Sequence, residues 1–430
     1  MPDSSPVGSG ANVPDATPVG LRVILRDPSV RVAMLIVFVV MLGFGIIVPI
    51  LPLYARSFGV GYEAAGLLIS AFAFMRLVFD LVAGPLVDRY GERRTAAVGV
   101  IVVGVSSLLL GLAPNFTLAV VFRGAGGAGS AVFFAAVFAY LLRVVPKDRV
   151  GRTLSIFFGS FNIGVIAGGP IGGLLAGAFG LQSPLFVYAG LCGLAGVLYL
   201  RFMKDPERAA AAGSDGDDPS AGETVIGRAR TQIRSLLRTP AFVTVIVLNF
   251  ANLWLIAAVF DTLVPLFAGE GLGMSPVGIG AVFAVAIAAE FVVLYPAGSA
   301  ADRHGRRPVI LPALAALTVM VGVLGFAGSP LVFVILMGVL GVASGFEGVL
   351  PAVMLSDVVP DRRTGTPVGV YRFCGDLGFV LGPLVAGASI SLFGFRSAFA
   401  IASLPLVLAF VLVARTPETL RRDPLAAAPL

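Results

Sequence analysis

The stretch Gly84-Pro85-Leu86-Val87-Asp88-Arg89-Tyr90-Gly91-Glu92-Arg93 returns 214 residues later as Gly298-Ser299-Ala300-Ala301-Asp302-Arg303-His304-Gly305-Arg306-Arg307. The first glycine, the Asp-Arg pair, the second glycine and the closing arginine hold their places, while the residues between them change. The same offset aligns Val145-Pro146-Lys147-Asp148-Arg149-Val150-Gly151 with Val359-Pro360-Asp361-Arg362-Arg363-Thr364-Gly365, and Gly124 and Gly127 with Gly338 and Gly341. An offset of 213 pairs Gly169-Pro170 with Gly382-Pro383. A repeat kept in polar loops and apolar interiors alike implies two similar units, which usually rock about a shared cavity.

Composition sets the solvent in which these units fold. Of 430 residues, 57% are hydrophobic and 13% charged, and mean hydropathy is +0.97. A water-soluble chain could not hide that much apolar surface. Two Cys and one His exclude a disulfide scaffold, a zinc module and a His-based metal centre, and no cofactor is expected. A membrane helix needs about 20 apolar residues. Twelve such runs fall near 30–55, 62–87, 95–113, 116–142, 153–179, 183–202, 240–267, 277–301, 308–327, 330–356, 366–392 and 396–414. The predicted fold class is an all-α membrane protein with 12 transmembrane helices in two pseudo-symmetric six-helix bundles around a central cavity. Its divisions are a disordered cytoplasmic tail over 1–29, not a cleaved signal peptide, then bundles over 30–202 and 240–414. A cytoplasmic linker over 203–239 joins the bundles, and a tail follows over 415–430.

Charge gives the orientation. Twenty-five of the thirty Lys and Arg fall in the segments on one side of the runs, Arg56 and Arg396 lie on the other, and Arg76, Arg123 and Arg372 lie inside runs. The positive-inside rule predicts that both termini are cytoplasmic and that the chain spans a cell inner (plasma) membrane. A pI near 9.7 is thereby read as topology, with no basic cluster or aromatic platform for nucleic acid.

With these residues in view, the chain resembles the major facilitator superfamily over essentially its whole length. The family's signature loop is matched by Gly84, Asp88, Arg89, Gly91 and Arg93, and again by Gly298, Asp302, Arg303, Gly305 and Arg307. Physically, Gly84 would let another helix approach, Gly91 would permit a tight turn, and Asp88 is placed to meet a helix N-terminus across the bundle. Run 4 holds Arg123-Gly124-Ala125-Gly126-Gly127-Ala128-Gly129, which satisfies a dinucleotide-type spacing but has no preceding strand. It is similar to the superfamily's Arg-glycine motif, linked in proton-coupled members to proton transfer; a buried Arg bonded to backbone carbonyls is the other reading. Gly164, Gly169, Pro170 and Gly173 of run 5 resemble the antiporter motif of drug exporters, with one residue between Gly-Pro and Gly-Gly where the family has two. Glycine packing on a partner helix would account for them equally. Many members carry an acid where this chain has Arg143, whose repeat mate is Asp357. The relay of charges therefore looks complete only in the second half, through Asp302, Arg303 or Arg306, and Asp357, leaving Arg143 to be held otherwise, for example by Asp88.

Ionisable groups inside lipid are functional candidates. Glu290, Asp261 and Glu347 have no basic residue one turn away and are, with Arg123, the candidates for proton coupling; Glu290 leads, with Asn162 of run 5 expected as its neutral partner. Each could instead be a structural carboxyl hydrogen-bonded across helices. Arg76 with Asp80 and Arg372 with Asp376 repeat an Arg-x-x-x-acid spacing. Depth predicts an inter-bundle gate in which Arg76 faces Asp376 and Asp80 faces Arg372, the alternative being pairs within each helix. Tyr54, Asn162, Asn249, Asn252 and Trp254 are the expected walls of a substrate cavity. Together these features imply a monomeric secondary transporter, a proton-coupled exporter of small lipophilic compounds or drugs by alternating access. An importer of a small nutrient or metabolite is the alternative, and a non-transporting receptor comes after it. The expected partners are a small-molecule substrate, protons and the bilayer. No enzyme is expected, because no catalytic constellation is present.

Overall fold

The computed structural model describes residues 28–145, 150–203, 233–348, 350–359 and 365–420. The predicted tails and most of the linker, with Arg149, Arg362 and Arg363 of the repeated loop, lie outside these residues. Among the described residues eleven helical runs are long and apolar enough to cross a membrane. The last spans 50 residues, and Gly394, at φ 75°, folds it back on itself, so it supplies two passages. The described residues thus supply the twelve passages expected.

In chain order α1 is Pro28–Ile47 with its continuation Leu51–Arg56, α2 Tyr62–Tyr90, α3 Glu92–Gly111, α4 Phe116–Val144, α5 Val150–Phe179 and α6 Ser183–Phe202. In the second half, α7 runs Pro240–Trp254, then Leu255–Leu263, Val264–Leu266 and Phe267–Gly271. Then follow α8 Pro276–His304, α9 Arg306–Leu324, and α10, made of Pro330–Glu347 and Leu350–Val358. The helix Gly365–Ala402 supplies α11 before Gly394, and its remainder with Leu404–Arg415 forms α12. Buried side chains gather in two clusters, Val30 to Met203 and Phe242 to Val413, one inside each set of six helices.

The repeat is expressed in the backbone. All six described glycines with positive φ fall into pairs 214 residues apart: Gly59 and Gly273, Gly91 and Gly305, Gly180 and Gly394. Each pair closes an equivalent turn that an L side chain would strain. Gly127 lies against the carbonyl of Phe72, and Gly341 lies against that of Ala286, again 214 apart on both sides of the contact.

Runs 1, 7 and 10 are less regular than predicted. Run 1 breaks over Val48–Ile50, where Pro49 lacks an N–H and Pro52 starts the next helix. At the matching place α7 widens into π-helix over Leu255–Leu263 and again over Phe267–Gly271, and ends four residues later than predicted. Thr262 Oγ1 donates to the Ala257 carbonyl five residues back at 2.8 Å, following the wider turn. Broken helices at equivalent places in two repeats are a feature of transporter binding regions.

Candidate functional site

The two halves meet along two seams, α2 with α11 and α5 with α8. Glycine makes both. A Cβ on Gly66 would collide with the Pro383 carbonyl and one on Gly387 with that of Tyr62. Along α5 the glycines form two stripes. Gly164, Gly168 and Gly172 face the α1 backbone at Phe38, Leu42 and Ile46, whereas Gly169 meets Phe283 and Gly173 meets Pro276 and Gly280 of α8. The motif read as antiporter-like is therefore, in packing terms, a double contact surface: one stripe holds α5 to its own half, the other to the opposite half.

These contacts crowd the face opposite the signature loops. There Arg56 Nε donates to Glu270 Oε1 at 2.8 Å, and Tyr62 Oη donates to Glu270 Oε2 at 2.8 Å. The Arg56 guanidinium stands 4.3 Å over the Tyr62 ring, whose other neighbour is Phe395 at 5.5 Å. Ser391 hydrogen-bonds Glu63 beside them. Each of these links joins one half to the other, except the Arg56–Tyr62 stack. The latch was missed in the sequence, although Arg56 stood out as one of only two cations on its side.

Toward the loop face the seam loosens in steps. Ser70 Oγ donates to the Val380 carbonyl at 2.6 Å, Arg76 Nη2 lies 2.5 Å from Asp376 Oδ1, and Arg372 Nη2 lies 4.0 Å from Asp80 Oδ2. At Gly84, expected to admit a close helix, a Cβ would meet nothing within 4 Å, and Gly369 is equally open. The close approach at Gly84 is therefore not made, because α2 and α11 have diverged at that depth.

Asp88 is engaged by the cation that the sequence reading offered it. It takes Arg143 Nη2 at 3.3 Å, while Arg143 Nη1 lies 2.7 Å from Glu92, which is buried. In the second half Arg306 Nη1 lies 2.5 Å from Asp302 and its Nε 3.2 Å from Asp357. Glu92 and Arg306 are 214 apart, as are Arg143 and Asp357, so the two halves carry the same ion pair with its polarity reversed. The signal for Glu92 was present in this double inversion at one offset. Arg93 donates to the Leu200 carbonyl and Arg307 to that of Ala414, a third equivalence at 214. Arg89 stacks near the Tyr90 ring at 5.3 Å, and Arg303 also has a partner. Gly298, like Gly84, faces open space.

Inside the second half, Glu290 does not meet Asn162, which is exposed on α5. Its backbone packs against Gly345 of α10, two residues from Glu347. Glu347 is 1% exposed, with Oε1 lacking a hydrogen-bond partner among the described residues. Asn249 Nδ2 donates to the Tyr371 carbonyl at 2.8 Å, and Asn252 Nδ2 reaches that of Gly348 at 3.5 Å. Tyr54 and Trp254 are corrected from cavity walls to packing residues. Both are buried, and each spends its polar atom within its own half, Tyr54 Oη on Leu110 O at 2.6 Å and Trp254 Nε1 on Ala402 O at 3.0 Å. Arg123 is buried without the backbone carbonyls considered for it, and its guanidinium lies 4.1 Å over the Phe72 ring. No cluster of three metal-ligating side chains exists among the described residues.

The family model described as Major Facilitator Superfamily matches residues 33–289 and 255–429. The quinolone resistance protein NorA of Staphylococcus aureus is 24% identical over 356 residues, covering 82% of this chain and 87% of NorA. An MFS-type transporter of Methanocaldococcus jannaschii is 22% identical, covering 87% and 94%. Among solved structures, an inward-facing, unoccupied bacterial homologue of the human lysosomal transporter Spinster superposes with a TM-score of 0.71 at 16% identity, covering 90% of this chain and 95% of that one. A D-xylose–proton symporter does so with 0.69 at 16%, covering 91% and 99%. Two inverted ion-pair relays, paired glycine turns and a seam tight at one end and open at the other are thus carried on a shared fold, and the chain belongs to the major facilitator superfamily of membrane transporters.

Proposed function

We propose that the chain is a proton-coupled exporter of small lipophilic compounds, held here with its cytoplasmic side open. The observation that carries this reading is the graded seam, in which backbone-to-backbone glycine contacts and the Arg56–Glu270–Tyr62 latch at one end give way to open space at Gly84 and Gly369 at the other. If the loop face is cytoplasmic, as its Lys and Arg excess argues, a solute enters from the cell interior toward Glu290 and Glu347. They lie on helices that touch at Gly345, and a buried carboxyl group favours holding a proton, which an arriving solute can displace. Arg76, Asp80, Arg372 and Asp376 form the inter-bundle gate, with the midplane pair retained and the outer pair stretched in this state. The likeness to NorA, whose name records quinolone resistance, supports export. The likeness to a xylose–proton symporter keeps nutrient import as the second reading.

Vesicles reconstituted with the full chain and loaded with a pH gradient test this directly. Dye accumulation driven by an inward-acid gradient, abolished by Glu347→Gln with dye binding retained, is the expected result. Accumulation that persists unchanged in Glu290→Gln, Glu347→Gln and the double variant would refute the coupling, and dye movement in the same direction as protons would favour import.

A further inference from the structure

Along the outer flank of the α2–α11 seam runs a groove with a volume of about 480 Å³. It follows α2 from Leu67 to Met75, has Val121 and Ala125 of α4 as its opposite bank, and is walled by Val380 and Leu384 of α11. Gly124 keeps it open, because a Cβ there would stand 3.2 Å from Met75 Cγ. The groove faces away from the bundle interior: Phe74 and Val121 are exposed, whereas Phe72 and Arg123, two residues away on each helix, are buried. A two-residue step reverses the side of a helix, so the exposed side is the one turned to lipid. Among the lining side chains only Ser70 is polar, and its hydroxyl is spent on the Val380 carbonyl at 2.6 Å. The volume is that of a small-molecule site, but with no polar group on offer it can hold only hydrocarbon.

Length and depth narrow the occupant. From Leu67 to Met75 α2 rises about 12 Å, which fits within one leaflet of a hydrocarbon core about 30 Å thick. Because α2 begins at Tyr62 and α4 at Phe116, the groove lies in the latch-side leaflet. At its mouth stands one charge. Glu63 lies one turn before Leu67 on α2 and accepts from Ser391, which lies two turns beyond Leu384 on α11. Glu63 is exposed, and among the described residues no ion pair within 4.0 Å engages its carboxylate. A hydrocarbon slot one leaflet deep, topped by a carboxylate without a cation, matches an amphipath with a long chain and an ammonium head.

We propose that this groove holds one acyl chain of a phospholipid with an ammonium headgroup, the chain lying between α2, α4 and α11 and the ammonium on Glu63. Because α11 belongs to the opposite half, the chain is gripped only while the latch-side end of the seam is closed. The site does not depend on what the transporter carries.

The test uses the full chain in phosphatidylglycerol nanodiscs doped with one of two photoprobes, a phosphatidylethanolamine or a phosphatidylglycerol carrying the same mid-chain diazirine. Labelled positions are mapped by peptide mass spectrometry. The ethanolamine probe is expected to concentrate on Met75, Val121 and Val380, at least about threefold above the glycerol probe. Glu63→Gln should bring it down to the level of the glycerol probe without changing the latter. Ala125→Phe, at an exposed position, should fill the groove and remove labelling there by both probes; Ala71→Leu fills it from the other bank and stands in if the first variant does not fold. Three outcomes overturn the proposal: label spread evenly over lipid-exposed positions such as Val98 and Val105 of α3, equal labelling of the groove by the two probes in the parent, or groove labelling that survives both fillings.

Discussion

Asp376→Asn and Asp80→Asn remove the same charge from the two inter-bundle pairs and should differ sharply in cost. Asp376 has a side chain 10% exposed and lies 2.5 Å from Arg76, itself 27% exposed. Stranding one partner of a fully buried pair costs about 3–5 kcal/mol. Here Arg76 keeps some solvent, has Asp80 one turn along its own helix, and stands 5.6 Å from the Phe379 ring, which together reduce the expected cost to about 2 kcal/mol. Asp80 lies 4.0 Å from an Arg372 whose side chain is 64% exposed, a geometry worth at most about 1 kcal/mol. Equilibrium unfolding of the purified chain in mixed micelles should therefore show a drop of about 2 kcal/mol for Asp376→Asn, roughly 30-fold in the folded-to-unfolded ratio, and under half of that for Asp80→Asn. A cycle with Arg76→Gln should return most of the larger loss as coupling, because the neutral pair leaves no orphan charge. Equal losses at the two aspartates, or a silent Asp376→Asn, would show that the 2.5 Å contact does not hold the halves together and that the depth argument is wrong.

Two further outcomes follow from the loop face. Arg143→Asp alone should destabilise the first half by about 1–3 kcal/mol, since it leaves buried Glu92 facing another acid, and adding Glu92→Arg should recover most of that by reproducing the polarity of the second half; thermal unfolding reads both, and no recovery would deny that the relays are interchangeable. Glu418, outside the spans, accepts from the backbone N–H of Arg306 at 2.9 Å, Arg307 at 3.0 Å and Leu420 at 3.0 Å, capping α9 from the far end of the chain. Desolvation would raise its pKa, but these donors outweigh it and hold the carboxyl below its ordinary 4.5. Its contribution is thus complete above that pH and lost on acidification, so the deficit of Glu418→Gln against the parent, about 1 kcal/mol at pH 7, should close as pH falls below 4.5; a pH-independent deficit would point to packing instead.

Much of this protein could be read from its chain because its organisation is periodic. Twelve apolar runs, a basic bias on one side and a 214-residue offset fix the number of passages, the division into halves and the equivalence of the signature loops, since each depends on local length, local charge or direct comparison of two segments. Even the Arg76–Asp376 and Arg372–Asp80 partnerships follow from counting residues along antiparallel helices to a common depth. Tertiary structure decided what counting cannot reach, namely which face of each helix meets which neighbour. It set the Glu290 backbone against Gly345 of α10, drew Tyr54 and Trp254 into packing, and placed Glu418 on α9 from more than a hundred residues away. The splay that opens Gly84 while Gly66 stays sealed is a relation between two rigid halves whose seam can be tight at either end, so it is a property of their placement and not of either helix.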